Sequence, residues 1–97
     1  QSPPEGTIVD WIQQAIHVQD AIVITAGAYT HTSVAIHDAL KAFPGYIVEL
    51  HISNPHLRES FRHISYISLA ADAVVAGLGV GGYVHVLETL PAVLAKG

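Results

Sequence analysis

Glu49 and His51 stand two residues apart in Tyr46-Ile-Val-Glu-Leu-His-Ile52, and in an extended segment that spacing puts both side chains on one face. A carboxylate beside an imidazole fixes the ring's tautomer and supports its charged form, the arrangement that makes histidine a general acid. Ser53 follows two residues later on the same face. Arg58 and Arg62, at i and i+4, bring a guanidinium to the same region if they lie on a helical turn. A further polar group, Thr30-His31-Thr32-Ser33, precedes an apolar stretch. Each group also has a plainer reading: Glu49 and His51 as a satisfied pair, the arginines as a solvated face, and Thr30 to Ser33 as an N-cap cluster for the next helix. Pattern alone therefore reaches a polar rim able to bind a small hydroxylated anion.

Other spacings carry less. Gly77, Gly79 and Gly82 fit G-x-G-x-x-G, but the acidic residue a dinucleotide site needs about 20 positions later has no place before Gly97. Close packing of helix on sheet is the preferred reading of these glycines. Of the seven histidines, His51, His56 and His63 form the densest group, without the ligand spacing of a metal site. His17, His37 and His85 fall on predicted helices, as structural or solvent-facing side chains. No metal and no cofactor is expected.

These side chains need a scaffold, and at 97 residues the chain is at most one domain. Hydrophobic residues make up 51% and charged residues 12%, which excludes a disordered chain. Four Lys and Arg against eight Asp and Glu give a net charge of -4, with no basic stripe to neutralise phosphates, so nucleic acid is not an expected partner. The absence of cysteine excludes disulfides and thiolate-bound zinc. No uninterrupted apolar run reaches the roughly 20 residues that cross a bilayer, so no membrane partner is expected and the chain reads as soluble. The surplus of apolar surface on so small a chain points to an oligomer. Gln1 is not a translation start, so the chain is expected to be processed, excised or incomplete.

Helical periodicity runs from Thr7, with Thr7 as cap and Ile8, Trp11, Ile12, Ala15 and Ile16 as one stripe. A buried strand over Asp20 to Thr25 follows, then a helix from Ser33 to Ala42 with Val34, Leu40 and alanines facing inward, ended by Pro44-Gly45. The second strand is Tyr46 to Ile52. A helical turn around Arg58 to Arg62 leads to a third strand over Ala71 to Leu78. The last helix, about Gly82 to Ala95, carries Val84, Leu87, Leu90 and Leu94 on one face, with Pro91 as a kink. Alternation of this kind predicts an α/β fold, a parallel sheet covered by helices on both faces, with the strands side by side in sequence order. The first strand would leave a hydrophobic edge unpaired, a hint that an N-terminal portion is missing or supplied by another chain. Ligands of such sheets bind beyond the carboxyl ends of the strands, where Thr25 to Ser33, His51 to Asn54 and Gly77 to Gly82 converge.

At these positions the chain resembles the type II 3-dehydroquinate dehydratase family. The motifs are Gly27-Ala-Tyr-Thr-His-Thr-Ser33, Glu49-Leu-His-Ile-Ser-Asn54, Phe61-Arg-His63 with Ser65-Tyr66, and Gly77-Leu-Gly79 with Gly82-Tyr83. Gln1-Ser2, Glu5-Gly6 and Asp10-Trp11-Ile12 resemble it as well, and the likeness runs in register from Gln1 to about Leu90. The resemblance implies a flavodoxin-like three-layer fold. Residues 1–97 would be a single, partial domain lacking the first two of the family's five strands. It also implies a cofactor-independent lyase of the shikimate pathway that removes water from 3-dehydroquinate by anti elimination through an enolate. Trimers grouped into a dodecamer are the implied homo-oligomer.

Carried over by resemblance, His51 is the general acid that protonates the departing hydroxyl, with Glu49 behind it. The backbone at Ile52 and Ser53 and the Ser53 hydroxyl would hold the substrate carboxylate, and His31 and Arg62 would bind ring hydroxyls. Asp38 matches an acidic residue that reaches into a neighbouring subunit's site. Thr25 stands where the family usually has an Asn that addresses the carboxylate, and a hydroxyl has a shorter reach and no amide donors. The family's first third, with its catalytic Tyr and lid Arg, is absent, and Tyr29, Tyr46, Tyr66 and Tyr83 occupy other positions. The alternative is a non-catalytic homologue or fragment serving as a binding or assembly module. A cytoplasmic location is expected, although any targeting signal would stand before Gln1.

Overall fold

A computed structural model describes residues 4–16, 18–25, 30, 32–54 and 65–96. Among them the order is α1 (Glu5–Ala15), β1 (Ala21–Ile24), α2 (Val34–Ala42), β2 (Tyr46–His51), β3 (Ala73–Ala76) and α3 (Gly81–Lys96). The helical turn expected around Arg58 to Arg62 lies outside the described residues. The strands form one parallel sheet in the order β1-β2-β3, the sequence order expected. Ile24 pairs with Glu49, and His51 pairs with Ala76, so the strand ends that bear polar groups are aligned.

Alternation along each strand sends its apolar residues to two separate cores. Ile24 and Ile47 face α1 and α2 and join Ile12, Ile36, Ala39, Leu40, Phe43 and Ile67. Val48 and Leu50 face the other way and pack on Val86, with Val23, Val75 and Leu90 at the margin. The α1 and α2 helices pack on each other on one side of the sheet, and α3 lies over β2 and β3 on the other. The result is the expected three-layer α/β arrangement.

Three helix faces differ from their periodicity. Trp11 is 56% exposed, because it lies about 100° round the helix from Ile12, on which the buried side is centred. Val34 is exposed, and α2 instead buries Ile36, Ala39 and Leu40. On α3 the stripe of Val84, Leu87 and Leu94 faces out, with Leu87 62% exposed, and the sheet is met by Gly82, Val86 and Leu90. Gly82 explains that rotation: a Cβ built there would stand 3.1 Å from Leu50 Cδ1, so the side without a side chain goes against the sheet. The helix runs through Pro91. The α1 helix begins earlier than expected, with Pro4 rather than Thr7 at the cap position, where its carbonyl accepts from Thr7 N and Ile8 N. The third strand is shorter than expected because Ala71 is held in a turn by Ile67 O and Asp72 binds the Ile47 backbone through both its N–H and its carboxylate.

The entry into β2 tolerates little. Tyr46 N–H donates to Asp20 O at 3.0 Å, and a Cβ on Gly45 would stand 2.3 Å from that oxygen and 2.7 Å from Phe43 Cε2. Gly45→Ala is expected to destabilise the chain by about 1–3 kcal/mol through this overpacking. A fall in the midpoint of thermal unfolding checks it, and an unchanged midpoint contradicts it.

Candidate active site

The polar rim is built by the loops beyond β1, β2 and β3. Past β3 the chain turns at Gly77 (φ 84°) and Gly79 (φ 64°), backbone conformations that side chains rarely permit. Their N–H groups donate to His51 O at 3.2 Å and Ile52 O at 2.9 Å. The two glycines thus clamp the last residues of β2, and Gly82 brings α3 close behind them.

On β2, Ile47, Glu49 and His51 alternate onto the face that meets α2 and the turn at 65–71. That turn folds over Glu49, which is 1% exposed. A buried carboxylate needs donors, and here they surround it. Glu49 Oε2 accepts from His51 Nε2 at 2.5 Å and from Ser65 Oγ at 2.8 Å, and Oε1 accepts from Ser68 Oγ. Burial alone would raise this carboxyl, yet the hydrogen bonds from His51, Ser68 and Ser65, with the His51 charge, hold it below the ordinary value of 4.5. Glu49 is therefore an anion at neutral pH.

An ionised carboxylate only accepts, so the proton between the two groups sits on His51 Nε2. The other ring nitrogen, Nδ1, makes no hydrogen bond among the described residues, so it is the atom through which a ligand could exchange a proton. The His51 side chain is 13% exposed, enough for its ring to be reached from the rim. The pair can deliver one proton from Nδ1 while Glu49 supports the positive ring.

Thr25, at the tip of β1, shares a hydrogen bond of 2.8 Å with the Tyr83 hydroxyl on the first turn of α3. Ile52 and Ser53 are exposed immediately beyond β2. Asp38 is exposed on α2, one turn after exposed Val34. His31 and Arg62 lie outside the described residues. Of the cluster from Thr30 to Ser33, Ser33 is the cap, since its Oγ accepts from Ile36 N at 3.0 Å and donates to Glu5 of α1. Thr30 does not cap. It is buried, its carbonyl accepts from Tyr66 N at 2.8 Å, and its hydroxyl has no partner among the described residues. His37 is structural, with Nδ1 donating to Tyr66 O at 2.7 Å.

Sequence reasoning quoted Ser65 and Tyr83 as motif residues without a role in this arrangement, and it missed Ser68. Ser65 and Ser68, three apart in the apolar run from Ile64 to Ala71, were the available signal for the two serines. A carboxylate predicted on a buried strand has to find such donors.

Known proteins resemble this chain in sequence and in fold. A family model described as dehydroquinase class II matches residues 1–91. The 3-dehydroquinate dehydratase of Bartonella bacilliformis is 52% identical over 97 residues, all of this chain and 61% of that protein. That of Cereibacter sphaeroides is 55% identical over 97 residues, again all of this chain and 66% of the relative. The crystal structure of type II dehydroquinase from Butyrivibrio crossotus superposes with a TM-score of 0.88 at 44% identity, covering 94% of this chain and 64% of that one. The chain thus spans somewhat less than two thirds of the length of these relatives, from 61% to 66%. Matched along nearly its whole length by the family model and by sequence relatives, and in fold by a solved member, the chain belongs to the class II dehydroquinase family.

Proposed function

We propose that this chain is the part of a 3-dehydroquinate dehydratase that carries the proton donor. The observation that supports this most is the ionised, buried Glu49 bonded to Nε2 of a reachable His51 at the strand tips. In the elimination, the enolate left by removal of the C2 proton supplies the electron pair of the new C=C bond, and the C–O bond breaks with its pair going to the leaving oxygen. His51 Nδ1–H gives its proton to that oxygen, water departs, and the ring is left neutral beside the Glu49 anion. Ile52 and Ser53 hold the substrate carboxylate. His31 and Arg62 bind ring hydroxyls, and Asp38, exposed on α2, reaches a neighbouring subunit in trimers that group into a dodecamer. The Tyr that takes the substrate's C2 proton and the lid Arg belong to the segment that precedes these residues in the family. The reading includes a cytoplasmic enzyme with no metal or cofactor. Among the described residues, no helix is long and apolar enough to cross a membrane.

The test joins this chain to the N-terminal segment of the Bartonella bacilliformis relative and follows formation of the conjugated product from dehydroquinate. Turnover is expected, and its absence contradicts the reading. Residues 1–97 by themselves are expected to turn over at least about 10²-fold more slowly, because the family's general base belongs to the segment that precedes them.

The Thr25–Tyr83 bond favours a second reading, a non-catalytic binding or assembly module, because it engages the hydroxyl that stands in place of the family's Asn. Calorimetry with a carboxylate substrate analogue separates the two. Binding without turnover in the joined chain supports the module, and neither binding nor turnover supports a purely structural role. On the dehydratase reading, Thr25→Asn adds an amide donor and tightens analogue binding about fivefold, the worth of one hydrogen bond. Unchanged or weaker binding removes Thr25 from the carboxylate site.

A further inference from the structure

We infer that Ser65 and Ser68 are positioning residues for the proton donor. Their hydroxyls hold Glu49 as an anion in one orientation, and Glu49 in turn fixes which nitrogen of His51 faces the rim. The inference rests on the dehydratase reading only for its consequence in turnover.

The direction of each hydroxyl proton is set by geometry. Ser65 Oγ accepts from Ser68 N at 2.9 Å, so its own proton is directed to Glu49 Oε2 at 2.8 Å. Ser68 Oγ donates to Oε1, so both carboxylate oxygens are held from the turn. The remaining acceptor position on Oε2 goes to His51 Nε2. A carboxylate held by three donors cannot rotate without breaking one of them, and inside a buried site an unmade hydrogen bond is costly.

The turn that carries the serines is itself anchored on three sides. Ile67 is fully buried in the core beneath α1 and α2. Tyr66 N donates to Thr30 O beyond β1, and Tyr66 O accepts from His37 of α2. Ala70 N and Ala71 N both bind Ile67 O. Motion of the serines would therefore disturb the core, α2 and the β1 loop together, which makes the turn a stiff mount for Glu49. Of the other titratable groups on the packed helices, Asp10, Asp38 and Lys41 are exposed to solvent, which leaves His37 on α2 and Glu5 on α1. Neither is bonded to Glu49: they bind Tyr66 O and Ser33 Oγ. Among the described residues, the serine hydroxyls and His51 are thus the groups that hold the carboxylate.

Ser68→Ala removes one hydroxyl and leaves the turn's backbone bonds in place. The test labels the histidine rings of the 97-residue chain with ¹⁵N and reads the tautomer of neutral His51 by NMR. The parent chain is expected to show the Nε2–H form alone, Ser68→Ala a mixture with Nδ1–H, and Ser68→Thr the parent pattern again. In the joined chain, kcat of Ser68→Ala is expected to fall about tenfold with KM unchanged, and Ser68→Thr to restore it. Ser65→Thr against Ser65→Ala repeats the comparison at the second hydroxyl, should Ser68→Ala fail to fold. A single Nε2–H form in every folded variant overturns the inference. A tautomer change without turnover in any joined chain, the parent included, upholds the positioning role and contradicts the dehydratase reading instead.

Discussion

His51→Ala in the joined chain is expected to lower kcat by about 10²–10⁴-fold, the contribution of a positioned general acid. The loss falls on the chemical step. On the dehydratase reading, the His51 ring, bonded to the Glu49 carboxylate, gives up its proton only as the hydroxyl departs. Binding of a carboxylate analogue is therefore expected to stay within a few-fold of the parent. A kcat within tenfold of the parent would show that another group delivers the proton. A loss confined to KM would make His51 a binding residue.

Glu49→Gln is expected to destabilise the fold in a pH-dependent way. The carboxylate accepts from three side chains at once, and an amide offers one acceptor oxygen and turns its own N–H₂ toward one of those donors. A buried mismatch of this kind costs about 1–3 kcal/mol at neutral pH. The pH dependence follows from the lowered Glu49 carboxyl. A carboxyl held below its unfolded value contributes stability that is fully present above about pH 4.5 and is lost as pH falls through the folded value. The gap in unfolding free energy between parent and Glu49→Gln should therefore be widest near neutrality and shrink below about pH 4.5. Urea titrations across that range check it. A gap that is constant with pH would show that Glu49 is not stabilised as an anion.

Much of the frame was legible in the sequence because each strand is a short β-branched run closed by turn residues. Asp20 to Thr25 and Tyr46 to Ile52 need only their local pattern, and the two-residue period carries Glu49 and His51 to one face without tertiary information. Helix orientation was harder. Periodicity marks an apolar stripe but not which side meets the sheet, and on α3 that was decided by Gly82 against Leu50, a contact between distant segments. The donors to Glu49 were hidden for the same reason. Ser65 and Ser68 lie 16 and 19 residues further along, and Tyr83 lies 58 residues from Thr25, so only the folded chain brings them together. The site residues carried over by resemblance sit where the strand tips converge in the case of Thr25, His51, Ile52 and Ser53. Asp38 stands apart on the exposed side of α2.

The central claim is that Nδ1 of His51, with Nε2 tied to the Glu49 anion, is the atom that gives its proton to the leaving hydroxyl. A crystal structure of the joined chain with a non-reacting dehydroquinate analogue measures this directly. The account predicts His51 Nδ1 within about 3.2 Å of the oxygen corresponding to the departing hydroxyl, with Glu49 still on Nε2. An analogue bound with that oxygen on another donor, or a His51 ring turned so that Glu49 meets Nδ1, would contradict it.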